Sequence, residues 1–316
     1  MSFVKAVSDE LIDFMIALLR TGFRNTKIQS WRVTGKIYSL VMRIRTESKK
    51  NKDFLVVFRE AKLFCESGDI TILPTLISGE YENIEINRLL EFASMREKRF
   101  KLIDVGANIG IYSVLFAKEM NRDSDTQFFL EKQSGTKEEL RETTVFAFEP
   151  EPRNLARLYR NIQLNIEAPE LIFVSQLGIS DKQGRLQFKS SKYGGTSGID
   201  ILEYDSNIEI EVTTIDKFCE DKIGSTENLI LKIDVEGHES SVLRGALGII
   251  RANRPIIFVE VSPHSSNLEI DLMNEILIFY NRAEFVYGNK TQYFEFISSD
   301  QLQEFNEYGN LILYNE

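Results

Sequence analysis

The stretch LIDVGANIGIYSVLFAK, residues 102–118, constrains the fold of this chain more than any other. An apolar run closes on Asp104, a turn holding Gly106, Asn108 and Gly110 follows, and a second apolar run begins at once. A strand covered on both faces reads as a continuous apolar run, so this pattern predicts a buried parallel strand leading into a helix. The alternation then repeats. TVFAFEP (144–150) reads as a strand and EPRNLARLYRNIQLN (151–165) as a helix. LIFVSQLGIS (171–180), NLILKIDVEG (228–237) and PIIFVEVS (255–262) read as strands, ESSVLRGALGII and MNEILIFYNRA as helices. EFVYG and YFEFIS close with β signal, and GRLQFKSS and IEIEVTTID read as a hairpin or edge pieces. Strands separated by helices mean βαβ units and an α/β fold with a mainly parallel sheet.

Upstream, DFLVVF and DITILP carry β signal from residue 53, and residues 84–98 read as a helix. Residues 1–50 lack proline; Leu11, Ile12, Met15, Leu18 and Leu19 recur at helical spacing, and Trp31 sits among Arg24, Lys27, Arg32, Lys36, Arg43 and Arg45. Such a start suits a helix packed on the domain with its basic side in water better than one resting on a membrane. Residues 121–142 are polar, without strand pattern, and read as a surface insertion. The expected organisation is a helical and β extension over 1–75 and one catalytic domain over 76–316.

Charge narrows the partners. Residues 1–52 hold 11 Lys and Arg against 4 Asp and Glu, a balance of +7, while the whole chain carries −10. The remainder is therefore strongly acidic, which argues against nucleic acid, since phosphates need a basic face. Cys65 and Cys219 make neither a disulfide framework nor a metal-ligand cluster, and fit a reducing compartment. LIDFMIALL is broken by Asp13 and preceded by Asp9 and Glu10, unlike a signal peptide. No run approaches the roughly 18–20 apolar residues of a membrane span. A soluble, cytoplasmic protein is expected.

In an open α/β sheet, ligands bind beyond the carboxyl ends of the strands. Asp104 stands at such an end, and Gly106 and Gly110, having no Cβ, let the backbone turn sharply and approach a ligand. Asn108 tolerates a left-handed conformation. The spacing G-x-x-x-G differs from the G-x-G-x-x-G of dinucleotide folds, and a carboxylate at the turn repels a pyrophosphate but welcomes an amino group. Glu149 ends the next strand, where a carboxylate accepts ribose hydroxyls roughly 20 residues past the glycines. Gly110 and Glu149 lie 39 residues apart, and setting aside the 22 of the insertion leaves 17. Two such acids fit a nucleoside without phosphate that bears an amino acid arm, as S-adenosylmethionine does.

DVGANIGIYS, FAFEPEPRNLARLYRNIQLN, LGISDKQGRLQF, GGTSGI, VTTIDKF and LKIDVEGHESSVLRGA occur in this order over roughly residues 80–262. The set resembles the FkbM-type S-adenosylmethionine-dependent methyltransferases. The family often has Ala where Gly178 stands here. The resemblance implies a class I, Rossmann-like methyltransferase fold: seven strands, mostly parallel, one antiparallel near the C-terminus, with helices on both faces. It implies O-methylation, often of a sugar hydroxyl in a glycan or glycosylated metabolite. Carried onto this chain, Asp104, Gly106, Asn108 and Gly110 would cradle the methionine part of the cofactor, Glu149 the ribose, and Asp181 would lie near the adenine. Asp234, Glu236 and His238 would face the methyl group and the acceptor, and Glu80, Tyr81 and Glu82 would approach the acceptor side.

A sugar hydroxyl is a poor nucleophile while protonated, and a positioned base contributes about 10²–10⁴-fold. DVEGHE offers His238, which titrates nearest neutrality, and Glu236 and Asp234 beside it. His238 is the first choice as base, with Asp234 or Glu236 orienting it or the acceptor; His264 after the next strand is a second candidate. Alternatively His238 only caps the helix that Glu239 begins. A divalent metal held by these carboxylates is not favoured. YGGTSGID (193–200) has the composition of a mobile loop, to close over the acceptor, or of a plain hairpin connection. A nicotinamide-dependent oxidoreductase and a non-catalytic binding protein on the same fold are the alternative readings.

Overall fold

The computed structural model describes residues 53–66, 69, 72–95, 100–120, 144–190, 206–223 and 228–316. The basic N-terminal segment, the 121–142 insertion and the 193–200 glycine stretch lie outside the described residues. The described residues up to Tyr81 form one compact unit and those from Glu82 onward a second.

In the first unit, β1 (Asp53–Phe58) and β2 (Ala61–Glu66) pair antiparallel. Arg59 and Glu60, at φ 46° and 66°, make the left-handed two-residue turn that matches strand twist. The β signal of DITILP is overturned from Ile72 onward, where α1 (Ile72–Ser78) begins. The Asp69 carboxylate accepts the Ile72 amide at 2.8 Å, and Pro74 falls in the first turn, where amides lack intrahelical partners.

The second unit opens with α2 (Asn83–Ala93), β3 (Lys101–Val105), α3 (Ile111–Met120), β4 (Val145–Phe148), α4 (Pro152–Asn165) and β5 (Ile172–Ser175). It continues through β6 (Gly178–Ile179), β7 (Gly184–Ser190), β8 (Ser206–Thr213), α5 (Ile215–Lys222), β9 (Leu229–Ile233), α6 (Glu239–Arg244) and α7 (Leu247–Asn253). It closes with β10 (Ile256–Val261), α8 (Ile270–Leu277), β11 (Arg282–Tyr287), β12 (Lys290–Phe294), α9 (Ser299–Gln303) and β13 (Gly309–Tyr314). The main sheet has the order β12-β11-β13-β10-β9-β3-β4-β5. β5, β4, β3, β9 and β10 are parallel, and β13 inserts antiparallel between β10 and β11. Among the described residues this is the class I methyltransferase sheet with one addition to the seven strands expected: an eighth, β12, which is also antiparallel. Tyr287 pairs with Lys290 across Gly288, at φ 55°, and the tight turn lays β12 antiparallel on the edge.

Every residue of β3 and β9 is buried, as the sheet's middle requires. α2 packs on α3 and α3 on α4, while α5 packs on α7 and α7 on α8. Ile103 and Val105 join the core beneath this second group, with Phe218, Ile250 and Met273. Asp104, one residue out of phase, points to the opposite face and meets α3. Helices thus cover both faces.

Three boundaries differ from the sequence expectation. LIFVSQLGIS splits, β5 staying in the main sheet and β6 joining β8 and β7 in a separate three-stranded sheet. ESSVLRGALGII forms two helices, because both Asp216 carboxylate oxygens accept amides, from Gly248 and Ile249 at 2.8 Å, and start α7 afresh. MNEILIFYNRA is helical only to Leu277.

Candidate functional site

From β3 the chain winds outward through β4 and β5, and from β9 it winds the other way to β10. The tips of β3 and β9 therefore flank a topological switch point, where open α/β sheets bind ligands. The turn 105–110 is folded by its neighbours. The amides of Gly106 and Ala107 both donate to the Phe148 carbonyl at 3.0 Å, and the Asp234 amide donates to the Val105 carbonyl at 3.1 Å. Gly106 has φ 81°, and a Cβ there would stand 1.8 Å from the Asp234 carbonyl oxygen. Gly110 has φ 86°, and its Cβ would stand 2.3 Å from Leu158 Cδ1 on α4. Both glycines thus make room for protein, where the sequence suggested close approach to a ligand. Asn108 is left-handed, φ 51°, as anticipated.

Asp104 is 1% exposed. Its Oδ2 accepts the Ser113 hydroxyl at 2.6 Å, whereas its buried Oδ1 has no hydrogen-bond partner among the described residues. Burial pushes its carboxyl up, against the pull of Lys232. Lys232 lies opposite Asp104 in the β3–β9 register and is 5% exposed. Its Nζ donates to Asp234 Oδ2 at 2.9 Å and stands 4.7 Å from the Tyr112 ring centre. Burial disfavours the ammonium, but Asp234, Asp104 and Glu82 outweigh it and hold the pKa above its usual value. The Tyr112 hydroxyl donates to Glu82 Oε2 at the head of α2. Burial raises the Glu82 carboxyl to about 7, with Lys232 opposing.

Glu149 is buried, its Oε2 accepting the Asn108 amide at 2.8 Å and its Oε1 the Glu151 amide at 2.9 Å. Burial takes its pKa to about 7 despite these donors. One carboxylate therefore ties the end of β4 to the glycine turn. The side-chain oxygen of Asn108 is a second buried acceptor with no partner among the described residues.

The DVEGHE turn follows β9. Glu236 is left-handed, φ 52°, and burial, then Asp234 and Glu239, raise its carboxyl to about 7. Glu239 begins α6 and folds back, Oε1 accepting the Gly237 amide at 3.0 Å and Oε2 the Asn267 amide group at 3.0 Å. His238 is buried without capping α6 through its side chain; its Nε2 lies 3.0 Å from Ser180 Oγ. Ser180 also donates to Asp181 Oδ1 at 3.2 Å, so Asp181, exposed after β6, and His238 share one serine. His264 is exposed, with Nδ1 3.2 Å from the Gln303 carbonyl.

Asp104, Asp234 and Glu236 thus gather around Lys232, Glu149 braces the turn beside them, and His238 and Asp181 meet at Ser180. Sequence reasoning passed over Lys232, and Glu260 on β10, whose carboxyl rises to about 8 through burial and then Asp234, Glu236 and Glu239. Their signal was a charged residue inside an apolar strand run, LILKI and IIFVEV, where charge is rare unless paired. Among the described residues no group of three His, Cys, Asp or Glu side chains is placed to hold a metal ion. The acceptors of Asp104 and Asn108, without partners among the described residues, suit a hydrogen-bond donor, and the amino group of S-adenosylmethionine is of that kind.

Over 189 residues the chain is 28% identical to the hexuronic acid methyltransferase AglP of Haloferax volcanii, covering 60% of this chain and 64% of that one. Over 183 residues it is 26% identical to methyltransferase 1 of Beauveria bassiana, covering 52% of this chain and 65% of that one. The chain thus spans just under two thirds of the length of either relative. A solved structure of methyltransferase FkbM from Methylobacillus flagellatus aligns with TM-score 0.42 and 19% identity, over 77% of this chain and 52% of that one. The methyltransferase FkbM domain model matches residues 104–297, more than half of the chain and every strand tip described above. The chain belongs to the FkbM methyltransferase family.

Proposed function

We propose that this protein is an S-adenosylmethionine-dependent O-methyltransferase acting on a sugar hydroxyl of a glycan or glycosylated metabolite. The observation that carries the reading is the buried Oδ1 of Asp104 at the switch point, which has no hydrogen-bond partner among the described residues. In such a place a carboxylate oxygen lacks compensation until a donor arrives, and an ammonium group is a strong one. Asp104, Asn108 and the Gly106–Gly110 turn would hold the amino acid arm, Glu149 the ribose, and Asp181 would lie toward the adenine. The relative named for hexuronic acid supports a sugar acceptor.

S-adenosylmethionine would supply, when bound, a sulfonium methyl group for transfer to an oxygen nucleophile, with the neutral thioether as the leaving group. The protein's part is alignment and proton removal. Asp234 commits one oxygen to Lys232, and the His238 ring is engaged with Ser180. Glu236, poised at about 7, is therefore the favoured base, ahead of the His238 expected from sequence, with Asp234 orienting the acceptor. No helix among the described residues is long and apolar enough to cross a membrane; the acidic body and sparse cysteines suit action in the cytoplasm. The test is incubation with labelled cofactor and a panel of glycans and glycosylated metabolites. One acceptor heavier by a methyl group supports the reading; binding of reduced nicotinamide instead overturns it.

A further inference from the structure

The acids of this site converge on one buried cation. Lys232 faces Asp104 from β3, Asp234 just past the end of its own strand, Glu82 from the head of α2 and Tyr112 from α3. Glu236 of the following turn and Glu260 of β10 also lie within its electrostatic reach. Tyr112 links the two ends, its ring under the ammonium and its hydroxyl on Glu82. Buried carboxylates crowded together neutralise themselves by taking up protons unless a cation sits among them.

Resting on the methyltransferase reading, we propose that Lys232 is a positioning residue that keeps Asp104 an aimed carboxylate, holds the Oδ2 of Asp234 in place and, through Tyr112 and Glu82, joins the head of α2 to the cofactor end of the site. The cation carries no proton to or from the acceptor. Its work is to maintain the negative charge of Asp104, to which the ammonium of the cofactor is drawn, and to fix the Oδ2 of Asp234. Cofactor affinity then depends on pH in a defined way. It is constant while Asp104 is ionised and falls by about tenfold per pH unit once Asp104 takes a proton. Without Lys232 that fall begins at higher pH.

The experiment is calorimetric titration of S-adenosylhomocysteine, whose ammonium is that of the cofactor and which undergoes no turnover, from about pH 5.5 to about pH 9. Lys232→Met is expected to move the midpoint of the affinity profile upward by at least about one pH unit, and Lys232→Arg to restore it. A lysine that only fills space lowers the melting temperature and leaves the midpoint where it was. A folded Lys232→Met variant with the wild-type midpoint overturns the proposal. Should that variant not fold, Lys232→Gln removes the same positive charge while leaving a polar side chain and is expected to move the midpoint upward as well; an unmoved midpoint there overturns it equally. Wild-type protein that binds no S-adenosylhomocysteine at any pH overturns the cofactor reading itself, and this inference with it.

Discussion

A β-carbon on Gly106 would stand 1.8 Å from the carbonyl oxygen of Asp234, so the turn after β3 closes directly on the end of β9. The two strands that flank the switch point are fastened at their tips, and the fastening requires glycine. Gly106→Ala adds the clash to a left-handed strain of roughly 1–2 kcal/mol. We expect it to destabilise the protein by at least about 2 kcal/mol in urea unfolding and to abolish cofactor binding.

Asp104→Asn keeps the size of the side chain and removes its charge. A hydrogen bond to a charged group contributes about 1.5–3 kcal/mol, so affinity for S-adenosylhomocysteine should fall roughly 10- to 100-fold by calorimetry. Ser113→Ala, which frees the other oxygen of the same carboxylate, should weaken binding less.

Glu236→Gln should cut turnover by about 10²–10⁴-fold and leave cofactor affinity nearly intact. The carboxylate is the active form and the group titrates at about 7, so turnover should rise with pH through neutrality. If His238→Ala shows the large loss and Glu236→Gln does not, the base is His238.

Glu260 titrates at about 8 against 4.5 for an ordinary glutamate, chiefly through burial. A raised carboxyl contributes stability that is complete below about pH 4.5 and lost as pH rises through about 8. Glu260→Gln should therefore raise stability at pH values above 8 by about 1–3 kcal/mol, allowing for partial solvent screening, and flatten the pH dependence of melting.

The sheet and the ends of its strands were legible because burial on both faces writes itself as continuous apolar runs, and because Asp104 and Glu149 interrupt those runs at the carboxyl tips. What gathers around them was not. Lys232 reads as one charge inside a strand until the register sets it opposite Asp104. Glu82 reaches the site only through the packing of α2 on α3. The pairing of His238 with Ser180 depends on β6 leaving the main sheet, which the apolar run 171–180 concealed. α1 was misread because Asp69, the first residue of DITILP, accepts the Ile72 amide and starts a helix where the apolar residues after it read as strand.

We propose that Asp104 and Glu149 hold opposite ends of one S-adenosyl nucleoside. The deciding experiment is the structure of the complex with S-adenosylhomocysteine. The amino group of the ligand is expected at the Oδ1 of Asp104 and the ribose hydroxyls at Glu149. A nucleoside bound away from the β3–β9 tips, or a phosphate resting beside Asp104, would contradict it.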